Sequence, residues 1–138
     1  MRELPRQLTA EALAELFSGR TRLVERLAAV EDPLARAEEV ARRLPEEEKV
    51  EALAAHPRIG EASREQRGEE REVLAALERL NRAYEQKFGF RFVVFVDRRS
   101  RSQLVPILRE RLTRSREEEL ETGLGELAAI ARDRWRRR

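Results

Sequence analysis

Apolar residues recur along most of the chain at spacings of three and four, the period of helices with one buried face. Thr9 stands as an N-cap ahead of Leu13, Leu16 and Phe17, and Ser18-Gly19 stops that first helix. A second helix covers residues 21–30 with Leu23, Val24 and Leu27 inward. Asp32-Pro33 opens a third, which ends near Leu44. Pro45 starts a fourth, where Glu46, Glu47 and Glu48 suit the positive helix end. That helix stops at His56, because Pro57 disfavours helical backbone in the residue before it.

After the turn Pro57-Arg58-Ile59-Gly60, a long helix begins near Ser63 and carries Val73, Leu77, Leu80, Tyr84 and Phe88 on one stripe. Gly89 ends it. The run Phe90-Arg91-Phe92-Val93-Val94-Phe95-Val96 is the only β-prone stretch, with no second strand to pair with. It reads as a buried extended segment whose backbone groups need partners outside a sheet, a ligand being one candidate. A sixth helix spans residues 100–113, with Pro106 as a kink or break. Ser115 and Glu118 form a capping box for the last helix, whose inner face carries Leu120, Leu124, Leu127 and Ala131. No repeat or linker interrupts the pattern. The expected fold is all-α: one domain over residues 1–138, about seven helices, one buried extended segment.

Composition narrows the function classes. The 138 residues are 41% apolar, enough for a core. The absence of cysteine excludes a disulfide scaffold, a Cys nucleophile, a thiolate zinc site and an iron–sulfur cluster. No apolar run reaches the roughly 20 residues of a membrane span, and the N-terminus lacks the apolar core of a signal peptide. A cytoplasmic location without membrane partners is expected. The isoelectric point is about 9.6, yet 29 basic residues face 27 acidic ones, for a net charge of +2. All but two of the basic residues are arginine, which does not titrate in this range. Arg and Glu alternate as on solvated helix surfaces, so nucleic acid is not the expected partner. A helical binding module using Arg136-Arg137-Arg138 is the competing reading.

Few residues can carry chemistry. His56 is the sole histidine and lies at a helix end, where it serves either as a cap or as an acid–base group. Glu65 and Gln66 open the long helix; an acidic first turn is ordinary there. Gln66, seven residues before Val73, falls on the buried stripe, and Glu65 sits at its edge. Arg134, four residues after Ile130, points inward, where it either snorkels or meets an anion. Imidazole, carboxylate, amide and guanidinium together suit acid–base chemistry or anion binding on a small molecule. One histidine does not make a conventional metal site, and no glycine-rich phosphate loop exists.

The ordered fragments His-Pro-Arg-Ile-Gly (56–60), Glu-Gln (65–66), Leu-Asn-x-x-Tyr (80–84), Lys-Phe-Gly-Phe-x-Phe-Val (87–93) and Ile-Ala-x-x-Arg (130–134) resemble 2-oxo-4-hydroxy-4-carboxy-5-ureidoimidazoline (OHCU) decarboxylase. The resemblance implies an all-helical, cofactor-free enzyme of urate breakdown that converts OHCU to (S)-allantoin and carbon dioxide. It implies catalytic roles for His56, Glu65 and Arg134. It implies substrate contacts at Pro57, Ala62 or Ser63, Gln66, and the segment Phe92, Val93, Val94, Phe95 and Val96. Family precedent also implies a homodimer. This sequence departs from the family pattern in a shorter stretch before Glu65, in Ala62 where a serine is usual, and in Arg91 where proline is common. The first two departures leave room for an inactive or substrate-shifted member. The third affects the stiffness of the segment more than the chemistry.

Overall fold

The computed structural model describes residues 2–59 and 69–138. Seven helices and no strand are present among the described residues: α1 (Ala10–Leu16), α2 (Arg22–Ala28), α3 (Ala37–Arg42), α4 (Glu46–Ala54), α5 (Glu69–Phe88), α6 (Arg101–Arg111) and α7 (Arg116–Arg136). Local chemistry accounts for most boundaries. The hydroxyls of Thr9 and Thr21 accept from the N–H groups of Ala12 and Val24. Ser115 and Glu118 form the expected capping box, and Ser100 with Gln103 forms another. Gly89 ends α5 at φ +80°, a left-handed backbone that favours glycine. No helix among the described residues is long and apolar enough to cross a membrane.

Two boundaries differ from the pattern-based reading. The third helix starts at Ala37 rather than at Asp32-Pro33. Asp32 is left-handed at φ +51°, so the chain first makes a tight turn, with the Arg36 N–H donating to the Asp32 carbonyl (3.0 Å). Helix α6 runs through Pro106 without a break. Pro106 lies on the exposed side, while buried Leu104 and Leu108 hold the helix down. The expected start of the long helix near Ser63 lies outside the described residues.

The helices form two groups. Helix α7 packs on α1, α3 and α4, and α2 packs on α1, α3 and α4; α5 packs mainly on α6. At Gly123 of α7 a Cβ would lie 3.1 Å from Leu53 Cδ2, so α4 and α7 approach closely there. The extended ribbon of residues 90–96 lies between the groups, with Phe90, Phe92, Val93 and Val94 buried. A buried polar cluster ties the groups together. Glu119 of α7, wholly buried, accepts from the Tyr84 hydroxyl of α5 (2.6 Å) and from Arg111 Nε of α6 (2.7 Å). Arg114 Nη1 donates to its other oxygen (3.2 Å). Arg111 also donates to the Val93 carbonyl (2.7 Å) and stacks over the Phe92 ring at 4.4 Å. Burial and the bond to Glu119 raise the Tyr84 pKa, so it stays a phenol.

Candidate active site

A cavity of about 720 Å³ opens where the two groups meet. One wall is the turn after α4, with His56, Pro57, Arg58 and Ile59. The facing wall combines Glu70 and Val73 of α5, Val96 at the ribbon's end, and the start of α6. The expected residues fall into four sets, one of them Arg134 alone, which is not among the residues lining this cavity. His56, Pro57 and Val96 line this cavity. Phe92, Val93 and Val94 send their side chains into the core, and Phe95 packs against it. Ala62, Ser63, Glu65 and Gln66 lie outside the described residues.

The ribbon's backbone is anchored by side chains, as its lack of a neighbouring strand demands. Val93 C=O accepts from Arg111, and the Phe95 N–H donates to Glu126 Oε1 (3.2 Å). The carbonyls of Phe95 and Val96 accept from Arg99 (2.5 and 3.1 Å).

His56 follows the C-cap Ala55, and its N–H donates to the Leu53 carbonyl (3.2 Å). The residue is 9% exposed, and Nδ1 is buried with no partner among the described residues. Burial pushes the imidazole pKa down to about 4, helped by the cations Arg134 and Arg91. His56 is therefore neutral at physiological pH, ready to accept a proton. Arg134 is half-buried, and its Nη1 donates to the Leu16 carbonyl (2.9 Å) and the Ser18 hydroxyl (2.8 Å). Among the described residues it meets no carboxylate, and its charge is one of the causes that lower the His56 pKa. Burial lowers its own pKa.

The residues that hold His56 in place were not evident from spacing. Arg91 Nη1 donates to the carbonyls of both Ala54 and His56 (2.7 Å each), clamping the end of α4 to the ribbon. Arg58 binds both oxygens of Glu85 on α5 (2.7 and 3.0 Å). That pairing keeps the Glu85 carboxyl below its usual range. Buried Asn81 donates to the Ile59 carbonyl (3.3 Å). One available signal was that the four carbonyls ending α4 lack helical partners, and an arginine near them is a ready donor.

Arg91 thus has a chemical consequence beyond stiffness. Arg91→Leu removes the smallest of the three causes that lower the imidazole pKa, so the His56 pKa rises modestly from about 4, while burial and Arg134 still hold it down. Arg91→Lys, which keeps charge and donors, leaves it near the original value. A ¹H–¹⁵N NMR titration of the single histidine reads both; an identical midpoint in Arg91→Leu contradicts the electrostatic role.

The OHCU decarboxylase family model matches residues 2–136. The chain belongs to the OHCU decarboxylase family. A curated relative, the 2-oxo-4-hydroxy-4-carboxy-5-ureidoimidazoline decarboxylase of Halalkalicoccus jeotgali, is 31% identical over 98 residues, covering 62% of this chain. The matched region spans 56% of that relative's length. Two solved structures share the fold. One is an OHCU decarboxylase in the presence of (S)-allantoin, with a TM-score of 0.74 and 21% identity over 89% of this chain and 94% of that one. The other is an (S)-allantoin synthase, with a TM-score of 0.69 and 22% identity over 91% of this chain and 47% of that one. The all-helical expectation for a member of this family thus agrees with the observed architecture.

Proposed function

We propose that this protein decarboxylates OHCU to (S)-allantoin, with His56 as the acid–base group. The observation that carries the reading is a buried, neutral imidazole whose Nδ1 has no partner among the described residues, set in the wall of a cavity in a chain of this family.

The chemistry needs no electron sink outside the substrate. C4 of OHCU bears a hydroxyl and a carboxylate, and C5 is doubly bonded to a ring nitrogen. When the C4–carboxylate bond breaks, its electron pair forms the C4–C5 double bond and carbon dioxide leaves. The former imine pair moves to the ring nitrogen, which takes a proton from water. The product of that step is an enol. Neutral His56 accepts the 4-hydroxyl proton as the carbonyl forms and returns a proton to C5 on one face, giving (S)-allantoin. A base that becomes an acid within one turnover suits a group that is neutral before substrate binds. General acid–base assistance of this kind is worth roughly 10²–10⁴ in rate.

On the family resemblance, Glu65 orients His56, and Gln66 with Ala62 or Ser63 contacts the ureido and ring amides. Pro57 bounds the cavity beside His56. The ribbon's backbone from Phe92 to Val96 is read as the other substrate wall. Arg134 favours an anion through its field on the His56 side of the site. A homodimer and a cytoplasmic location remain part of this reading, on family precedent and composition. Freshly generated OHCU mixed with the protein tests the function: carbon dioxide release and allantoin formation run faster than in buffer. Equal rates would remove the proposed activity.

A further inference from the structure

Among the described residues, three guanidinium groups line the cavity: Arg58, Arg99 and Arg101. Two of them are neutralised by carboxylates on α5. Arg58 binds Glu85, and Arg101 Nη1 donates to Glu70 Oε1 (2.9 Å). Arg99 differs. Its Nε donates to the Val96 carbonyl (3.1 Å) and its Nη2 to the Phe95 carbonyl (2.5 Å). Among the described residues it meets no carboxylate, and its Nη1 makes no bond. Two carbonyl dipoles do not cancel a full charge, so among the described residues Arg99 is a cation at the cavity without a carboxylate partner.

The backbone takes an unusual course to put Arg99 there. Asp97 and Arg98 are both left-handed, at φ +48° and +62°. Consecutive non-glycine residues in this region are strained. Their turn folds Arg99 back over the ribbon it follows, and the two carbonyl bonds then fix its head. Such a tethered, planar donor is suited to a carboxylate. His56 lines the same cavity, its Nδ1 without a partner among the described residues. Arg134, by contrast, is not among the lining residues, and its bonds go to Leu16 and Ser18 of the α1 end.

We propose that Arg99 is the specificity-determining cation of this site, the group that receives the carboxylate of the substrate. The inference rests on the decarboxylase reading above and adds where the departing group sits. It has a kinetic corollary. The carboxylate becomes neutral carbon dioxide, so the ion pair weakens as the C4–carboxylate bond breaks. Arg99 therefore serves capture of the anion rather than the barrier. The product has no carboxylate and does not use Arg99.

The test compares the wild type with Arg99→Gln and Arg99→Lys, using the steady-state kinetics of OHCU and calorimetric binding of (S)-allantoin. Arg99→Gln raises KM by roughly ten- to a hundredfold, the scale of a lost charge-assisted hydrogen bond. Its kcat is unchanged or modestly raised, because the lost ion pair favours the ground state, and its Kd for (S)-allantoin is unchanged. Arg99→Lys raises KM less. If Arg99→Gln fails to fold, by circular dichroism, the Lys variant carries the test, because it keeps the charge and loses the fork. Equal weakening of substrate and product assigns Arg99 to holding the ribbon and overturns the proposal. So does an unchanged KM, or a collapse of kcat alone. A wild type that leaves OHCU untouched removes the underlying function, and this inference with it. An active wild type with a normal Arg99→Gln removes only the inference.

Discussion

Replacing His56 with asparagine lowers kcat on OHCU by about 10²–10⁴, while the helical circular dichroism spectrum is unchanged. Asparagine is close to the imidazole in size and retains a polar group, but it has no titratable nitrogen. The loss is therefore in proton transfer and not in the shape of the cavity wall. The pH dependence follows from the lowered pKa. The free enzyme needs neutral His56, so kcat/KM holds through the mildly acidic range and falls with a midpoint of about 4, where the imidazole charges. An unperturbed histidine would place that midpoint near 6.5. Stopped-assay kinetics across pH read both features. Full activity in His56→Asn, or a wild-type midpoint near 6.5, contradicts the assignment.

The largest effect on stability is at Glu119. Its two oxygens accept from Tyr84, Arg111 and Arg114, which brings α5, α6 and the segment before α7 onto one buried carboxylate. Glu119→Leu removes the anion and leaves the Arg111 guanidinium buried with only the Val93 carbonyl and the Phe92 ring. Breaking a buried pair from one side costs about 3–5 kcal/mol, mainly because the remaining charge is uncompensated. For a domain of this size that is a drop in Tm of roughly 10 °C or more. Glu119→Gln retains an acceptor for Tyr84 and loses less. Thermal unfolding of both variants decides the matter, and a Tm for Glu119→Leu within a degree or two of wild type contradicts the cluster's role. Activity falls as well, since this joint holds the α5–α6 wall of the cavity against the His56 wall.

What the chain pattern disclosed, and what it hid, follows the range of the interactions. Thr9 and Ser115 were legible as caps because a cap bonds to backbone three residues away. The apolar stripe from Val73 to Phe88 was legible because a helix repeats its inner face locally. The ribbon was legible as strand-like sequence with no strand to join. Its anchors were not, since Arg111, Glu126 and Arg99 reach it from other elements. Glu119 was hidden inside an acidic first turn of ordinary appearance. Its spacing of four from buried Gly123 and of eight from Leu127 places it on the inner face, a signal that the capping box beside it masked. His56 and Arg134 stood out, one as a unique residue and the other by register. The charge state of His56 and the clamp by Arg91 depend on tertiary burial that no local pattern carries.

The proton returned to C5 creates the product's stereocentre, so optical activity reports on the site directly. Circular dichroism of the allantoin formed from fresh OHCU is the decisive measurement. Wild-type protein yields the (S) enantiomer ahead of the spontaneous reaction, and His56→Asn yields slowly formed, racemic product. Racemic allantoin at the buffer rate with the wild type would contradict the account.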